Sequence, residues 1–124
     1  MTIRYTILHV DDDEINRKII RDLLEQERQY SVVEAVDGEQ AVALAARIMP
    51  AVILMDIRLP KMDGYHAARQ IRLIAGLEAV PIIALTSYAL VGDEDKARRA
   101  GYTEYVTKPY DPQALLTLIR RCAP

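Results

Sequence analysis

The sequence contains only one cysteine, Cys122, among its 124 residues. A single thiol excludes both an intramolecular disulfide and a cysteine-rich metal site. Because small secreted domains commonly depend on disulfides, this absence favours a reducing compartment, and we predict that the protein is cytoplasmic.

The sequence also lacks an excess of positive charge and a long hydrophobic run. Its 16 lysine and arginine residues stand against 18 aspartate and glutamate residues, which gives a net charge of −2. Binding to nucleic acid or to an anionic membrane surface usually needs a basic patch, so we predict neither partner. The apolar runs, such as those at 51–55 and 81–85, are far shorter than the ~20 residues of a membrane span. Proteins and small ions are the expected partners.

The length and the composition predict one globular domain over residues 1–124. Hydrophobic residues make up 51% of the chain and charged residues 27%, which is close to the average for soluble domains. No linker or low-complexity stretch divides the chain. Nothing in the pattern therefore indicates a second folding unit.

Five short apolar runs rich in β-branched residues recur along the chain and are separated by segments with apolar residues at helical spacing. The runs open near Tyr5, Ser31, Ala51, Pro81 and Tyr102. This alternation predicts repeated strand–helix units. The runs at 7–10 and 52–55 are almost continuously apolar, as is typical of parallel strands covered by helices on both faces. We predict an α/β fold with a doubly wound, five-stranded parallel sheet.

Two segments fit the pattern less well than the others. The run at 31–35 includes Glu34, so we expect this strand near an edge of the sheet. The fourth helix, predicted over 91–100, has little apolar periodicity. Its stability is expected to depend on docking against the rest of the domain.

Acidic residues directly follow two of the predicted strands. Asp11 and Asp12 come after the first strand and Asp56 after the third, and ligands of open α/β sheets bind at these strand ends. Carboxylates brought together repel one another until a proton or a hard cation relieves the repulsion. Oxygen ligands without histidine or thiol among them favour Mg²⁺ or Mn²⁺ over zinc. We interpret the adjacent Asp13 as the N-cap of the first helix.

Asp56 is the candidate nucleophile of the site. A carboxylate whose charge is offset by a cation can attack phosphorus, as in enzymes that form an aspartyl phosphate. Such a transfer needs positive charge and hydrogen-bond donors around the phosphoryl oxygens. Thr86, after the fourth strand, and Lys108, after the fifth, supply these chemical groups. The pattern places all three residues at one edge of the sheet.

Five ordered motifs connect these residues to a known family. They are VDD at 10–12, LMDIRLP at 54–60 with MDG at 62–64, ALT at 84–86, GD at 92–93 and YVTKP at 105–109. In order and spacing they resemble the receiver domain of two-component response regulators, the CheY-like superfamily, and the resemblance covers nearly the whole chain. It implies a flavodoxin-like (βα)5 fold with strand order 2-1-3-4-5.

The resemblance also implies a phosphoacceptor and a metal site. Asp56 would receive the phosphoryl group and take part in binding Mg²⁺. Asp12 would bind the ion directly, Asp11 mainly through a metal-bound water, and the backbone carbonyl of Arg58 would complete the protein ligands.

Three further residues take roles by the same resemblance. Lys108 would contact the phosphoryl group, aimed at it by a cis bond to Pro109. Thr86 would move toward that group, and Tyr105 would change rotamer to fill the space that Thr86 leaves. This is a two-state switch biased by new charge.

The partners of the family define the expected input and output. A phosphohistidine of a histidine kinase or a histidine phosphotransfer protein would supply the phosphoryl group. A downstream output protein would bind the face formed by the fourth helix, the fifth strand and the fifth helix, including Tyr102 and Tyr105. Tyr102 stands where the family commonly has a small residue, and we predict that it is exposed. The protein would catalyse only its own phosphorylation and slow dephosphorylation, so it is not expected to be an enzyme.

Two other functions are open to an aspartate that follows a parallel strand. Phosphatases of the haloacid-dehalogenase type place a second aspartate two residues after the nucleophile as a general acid, where this chain has Arg58. A non-phosphorylated adaptor, which uses the receiver fold only as a protein-binding scaffold, stays open as the alternative. Against it stand the intact residues of the site, Asp11, Asp12, Asp56, Thr86 and Lys108.

We also expect the phosphorylated form to be long-lived. Arg58 and Tyr88 are large side chains two residues after Asp56 and Thr86, respectively. They are expected to obstruct the water that hydrolyses the aspartyl phosphate, which would make the modified form long-lived.

Overall fold

The computed structural model of the chain describes residues 4–87 and 92–124. Five strands and five helices alternate along these two stretches. They are β1 (Tyr5–Val10), α1 (Glu14–Glu25), β2 (Tyr30–Ala35), α2 (Gly38–Ile48), β3 (Val52–Met55), α3 (Gly64–Arg72), β4 (Ile82–Thr86), α4 (Asp93–Ala100), β5 (Glu104–Thr107) and α5 (Pro112–Cys122). None of these helices is long and apolar enough to cross a membrane.

The strands form one parallel sheet in the order β2-β1-β3-β4-β5. This arrangement confirms the predicted α/β class and the strand order that the family resemblance implies. Strands β3 and β4 are buried along their whole length, whereas β2 and β5, at the two edges, are partly exposed. The edge position of β2 agrees with the charge that Glu34 brings to this strand.

Helices cover both faces of the sheet, so that there are two hydrophobic cores. On one face α1 and α5 pack against the sheet through Ile20, Leu24, Leu115, Leu116 and Ile119. On the other face α2, α3 and α4 contribute smaller side chains, mainly Ala41, Ala45, Ala67, Ala68, Ala97 and Ala100. Successive strand residues point to opposite faces. The continuous apolar runs of β1 and β3 therefore supply both cores.

An aspartate is the N-cap residue, directly before the first helical residue, in four of the five helices. The side chains of Asp13, Asp37, Asp63 and Asp111 each accept a hydrogen bond from a backbone N–H in the first turn, which is the usual stabilisation of a helix N-terminus. Helix α4 instead follows Gly92, whose φ of 89° is left-handed and which has no side chain to cap the helix. The predicted start of this helix at 91 lies outside the described residues. Burial of Ala97 and Ala100 agrees with the expected dependence of α4 on docking.

Candidate functional site

Backbone hydrogen bonds extend the sheet by one residue at the carboxyl ends of the strands and so fix the predicted site residues. The N–H of Asp56 donates to the carbonyl of Val10 over 3.0 Å, and the N–H of Lys108 donates to the carbonyl of Thr86 over 2.8 Å. The Lys108–Pro109 peptide bond is cis, as the family resemblance implies. The side chains of Asp56 and Lys108 therefore both start at the carboxyl ends of the strands.

Two carboxylates share one ammonium group at this edge. Lys108 Nζ lies 3.0 Å from Asp11 Oδ2 and 3.4 Å from Asp56 Oδ2. The three side chains are 17%, 2% and 13% exposed, respectively, so water screens their charges much less than it would at the surface. Lys108 thus acts as an internal counter-ion for the candidate nucleophile.

The position of Asp11 is fixed from two other directions. Its Oδ1 accepts a hydrogen bond from the N–H of Asp13 over 2.9 Å, and its backbone carbonyl accepts one from Arg17 Nη1 over 2.8 Å. The guanidinium of Arg17 also pairs with Glu34 of β2, with Nε 3.2 Å from Oε1. Sequence reasoning missed Arg17 and Glu34 as supports of the site, because their contact depends on how α1 packs beside β2.

Burial and neighbouring charges change the pKa values of both Asp56 and Lys108. Burial raises the pKa of Asp56, the attraction of Lys108 lowers it, and the repulsion of Asp11 raises it, with a net upward shift. Burial lowers the pKa of Lys108, but the attraction of Asp56 and Asp11 outweighs this effect and raises the pKa above its ordinary value. At neutral pH the ammonium therefore stays charged beside the two acids.

A groove of about 740 Å³ opens next to these residues. Asp12, Arg58 and Thr86 line it together with residues of the β3–α3 segment and of α4. Asp12 is exposed, and the N–H of Arg58 donates to Asp56 Oδ1 over 3.3 Å. The structure thus places Arg58 beside the candidate nucleophile and Asp12 at the same opening.

The donor set fits a hard divalent cation. Asp11, Asp12 and Asp56 carry three negative charges against the one positive charge of Lys108, and all of their donors are oxygen atoms, which Mg²⁺ prefers. Within residues 4–87 and 92–124, no three acidic, histidine or cysteine side chains converge into a ready-made metal cage. Lys108 instead bridges the two buried acids.

Thr86 and Tyr105 lie on neighbouring strands. Thr86 is the last residue of β4, is buried and faces the groove, while Tyr105 of β5 is paired with Ala84 in the sheet. Thr86 therefore borders the predicted site and Tyr105 lies on the next strand, and the movement of both side chains stays a prediction. Tyr88, which entered the hypothesis of slow hydrolysis, lies outside the described residues.

The prediction that Tyr102 is exposed is wrong. Its side chain is 3% exposed, and its hydroxyl donates a hydrogen bond to the backbone carbonyl of Asp56 over 3.2 Å. The ring fits because Gly64 has no side chain at this point: a Cβ there would collide with the Tyr102 hydroxyl. A buried phenol needs a partner for its hydroxyl, and Asp56 supplies it. The only hint of this contact in the sequence is that a large residue at position 102 occurs together with a glycine at position 64.

The raised pKa of Asp56 predicts that Asp56→Asn stabilises the protein when no divalent cation is present. A carboxyl whose pKa is raised by folding destabilises the native state once it is ionised, so the neutral amide should gain on the order of 1 kcal/mol at neutral pH. This gain should shrink as the pH falls through the pKa of Asp56, because the wild-type group then becomes neutral too. Urea unfolding in chelator at several pH values measures it.

Asp22→Asn is the matched control for this experiment. Asp22 is exposed and pairs with Lys18, whose hydrogen bond lowers the pKa of the Asp22 carboxyl. Its replacement should give no gain in stability at neutral pH. A loss of stability in Asp56→Asn, or an equal gain in both variants, would contradict the electrostatic description of the site.

Comparisons with known proteins give a consistent result. A family model for the response regulator receiver domain matches residues 7–120. The polar-differentiation response regulator DivK of Brucella anthropi is 33% identical over 115 residues, which are 93% of either chain. The chemotaxis protein CheY4 of Vibrio cholerae has a TM-score of 0.89 at 28% identity, over 96% of this chain and 98% of that one.

A further solved structure is similar both in sequence and in fold. It is the receiver domain of the sensor histidine kinase PA1611 of Pseudomonas aeruginosa, with a magnesium ion coordinated in its active site cleft. Its identity to this chain is 41% and its TM-score 0.87, over 95% of this chain and 96% of that one. Family match, sequence identity and fold agree: the chain belongs to the receiver domain family of two-component response regulators.

Proposed function

We propose that the chain is a phosphoacceptor response regulator that receives a phosphoryl group on Asp56. The observation that carries this proposal is the placement of the Asp56 carboxylate beside a groove, 3.4 Å from an ammonium group that remains charged at neutral pH. The donor would be a phosphohistidine of a histidine kinase or of a histidine phosphotransfer protein. Membership of the receiver domain family supports a phosphohistidine donor, and the similar Pseudomonas receiver domain belongs to a sensor histidine kinase.

The chemical step assigns a separate task to each residue. An oxygen of Asp56 attacks phosphorus, the phosphorus–nitrogen bond of the donor breaks, and its electron pair returns to the imidazole nitrogen. Lys108 then shifts its ammonium from the carboxylate toward the phosphoryl oxygens, where it stabilises their charge. The Thr86 hydroxyl, at the end of β4 beside the same groove, donates a hydrogen bond to that group.

We propose that Mg²⁺ is the cofactor, with Mn²⁺ as a possible substitute of the same chemistry. The side chains of Asp11, Asp12 and Asp56 and the backbone carbonyl of Arg58 would hold it. When bound, the ion supplies positive charge that offsets the acids and the phosphoryl oxygens. The magnesium ion in the related Pseudomonas receiver domain supports this choice.

The output is proposed to be a change in protein binding, not turnover of a substrate. Phosphorylation would draw Thr86 toward Asp56 and let Tyr105 turn inward, which alters the face formed by α4, β5 and α5. A downstream protein would read this change. In this proposal the receiver spans residues 1–124, acts in the cytoplasm and catalyses only its own phosphorylation and slow dephosphorylation.

Phosphoryl transfer from a purified phosphohistidine domain tests this function. With a labelled phosphoryl group on the donor, the label should move from the donor protein to this chain only when Mg²⁺ is present. EDTA should stop the transfer. The adaptor alternative predicts no gain of label under any of these conditions. Asp12→Asn serves as a second test, because loss of one proposed ligand should slow transfer at low Mg²⁺ and have less effect at high Mg²⁺.

A further inference from the structure

Tyr102 contacts the backbone of the residue that carries the candidate nucleophile. Its hydroxyl donates to the Asp56 carbonyl over 3.2 Å, and its side chain is buried in the core formed with α2, α3 and α4. A Cβ at Gly64 would collide with both the Tyr102 hydroxyl and the Asp56 carbonyl oxygen. The absence of a side chain at Gly64 thus leaves the space in which this hydrogen bond forms.

One aromatic side chain contacts the ring of Tyr102, and a lysine contacts that second ring in turn. Tyr65 of α3 meets it edge to face, with ring centroids 6.4 Å apart and an interplanar angle of 86°. Lys96 of α4 places its ammonium 4.6 Å from the centroid of the Tyr65 ring. Edge-to-face rings and cations over aromatic faces attract each other. The contacts therefore run without interruption from α4 to the Asp56 backbone.

The segment that Tyr102 holds contains the groups that the proposed reaction needs. Residues 56–58 carry the Asp56 carboxylate, whose Oδ1 accepts a hydrogen bond from the N–H of Arg58, and the Arg58 carbonyl. A rotation of the backbone at Asp56 would displace the carboxylate and that carbonyl relative to Asp11 and Lys108. Cation sites and reacting groups are sensitive to displacements of this kind.

We propose that Tyr102 is a positioning residue for the cation site and for phosphoryl acceptance, and that it acts through the Asp56 carbonyl. This inference rests on the proposed function and goes beyond it, since the Tyr102 hydroxyl contacts the backbone carbonyl of Asp56 rather than its carboxylate. The hydroxyl is the acting group, and the ring supplies packing. Tyr102→Phe keeps the packing and removes only the hydrogen bond.

The chain offers a matched control for this substitution. Tyr30 is also buried, and its hydroxyl also donates to a backbone carbonyl, that of Ala123, over 2.6 Å. Tyr30 belongs to the core on the other face of the sheet, which α1 and α5 cover. Tyr30→Phe and Tyr102→Phe should therefore lower the urea midpoint of the full chain by similar amounts.

Calorimetric titration of the full chain with Mg²⁺ separates the two variants. Tyr102→Phe should weaken Mg²⁺ affinity by about 2- to 10-fold, the effect of one typical hydrogen bond, whereas Tyr30→Phe should bind like the wild type. With acetyl phosphate as donor, Tyr102→Phe should modify Asp56 slowly at low Mg²⁺ and approach the wild-type rate as Mg²⁺ is raised.

Three results would overturn the inference. They are wild-type Mg²⁺ affinity in Tyr102→Phe, equal weakening in Tyr30→Phe, and a wild-type chain that binds no Mg²⁺. The last result would also remove the metal from the proposed function. If the wild type bound Mg²⁺ but Asp56 were not modified, only the proposal of phosphoryl acceptance would be contradicted. The Mg²⁺ titrations of Tyr102→Phe and Tyr30→Phe would still decide the role of Tyr102 at the cation site.

Discussion

Lys108→Met is expected to slow phosphorylation of Asp56 by about 100-fold, the usual effect of removing one donor that stabilises developing charge. The same change should destabilise the cation-free protein by about 1–3 kcal/mol, because the buried Asp11 and Asp56 lose their shared counter-ion. Time courses with acetyl phosphate, followed by intact mass, measure the first effect. Urea unfolding in chelator at neutral pH measures the second.

Lys61→Met controls for the general loss of a lysine near the groove. Lys61 is exposed, and its Nζ lies 3.7 Å from Asp37 rather than beside the two acids. Its replacement should change the phosphorylation rate by less than about 2-fold, since the Lys61 ammonium is largely exposed and its ion pair lies outside the proposed site. If Lys108→Met and Lys61→Met reacted at similar rates, Lys108 would have no specific part in the transfer.

Gly64→Ala is expected to destabilise the protein by about 1–3 kcal/mol, as overpacking of a filled core usually does. The added methyl group would collide with the Asp56 carbonyl oxygen and with Cα of Ile57, which are backbone atoms that cannot rotate away, and with the Tyr102 hydroxyl. Helix propensity alone predicts the opposite sign, because alanine is favoured over glycine by up to about 1 kcal/mol in a helix, and Gly64 is the first residue of α3. The sign of the change in urea unfolding free energy therefore decides between the two effects.

A double variant tests where the strain at Gly64 arises. Tyr102→Phe removes one of the atoms that the new methyl group would meet, so Gly64→Ala with Tyr102→Phe should lose less stability than the sum of the two single changes. Strict additivity would indicate that the collision is only with the backbone of Asp56 and Ile57. A stabilised Gly64→Ala would contradict the close approach of α3 to the end of β3.

The alternation of apolar runs and helical segments was sufficient to predict the fold class, because a strand that is buried on both faces of the sheet has a continuous apolar run. The order of the strands was not available from periodicity, since apolar runs do not encode which strand lies beside which. That order came from the family motifs. The end of the sheet at which the site lies was also predictable, because Asp11, Asp56 and Lys108 each follow a strand and parallel strands have their carboxyl ends together.

The parts that could not be predicted depend on contacts between distant segments. The burial of Tyr102 requires the space beside Gly64, 38 positions earlier in the chain, and no local pattern reports that space. The role of Lys108 as a bridge between Asp11 and Asp56 likewise arises only once β1, β3 and β5 lie in one sheet with their carboxyl ends together. The support from Arg17 through Glu34 depends on the packing of α1 against β2.

We propose above all that Asp56 accepts a phosphoryl group in a reaction that needs Mg²⁺. Intact mass after incubation with acetyl phosphate, with Mg²⁺ or with EDTA, beside an Asp56→Asn control, tests it most directly. We expect the gain of one phosphoryl group in the wild type with Mg²⁺, and no gain with EDTA or in Asp56→Asn. A wild-type chain that is folded, binds Mg²⁺ and remains unmodified, or an Asp56→Asn variant that gains the same mass, would contradict it.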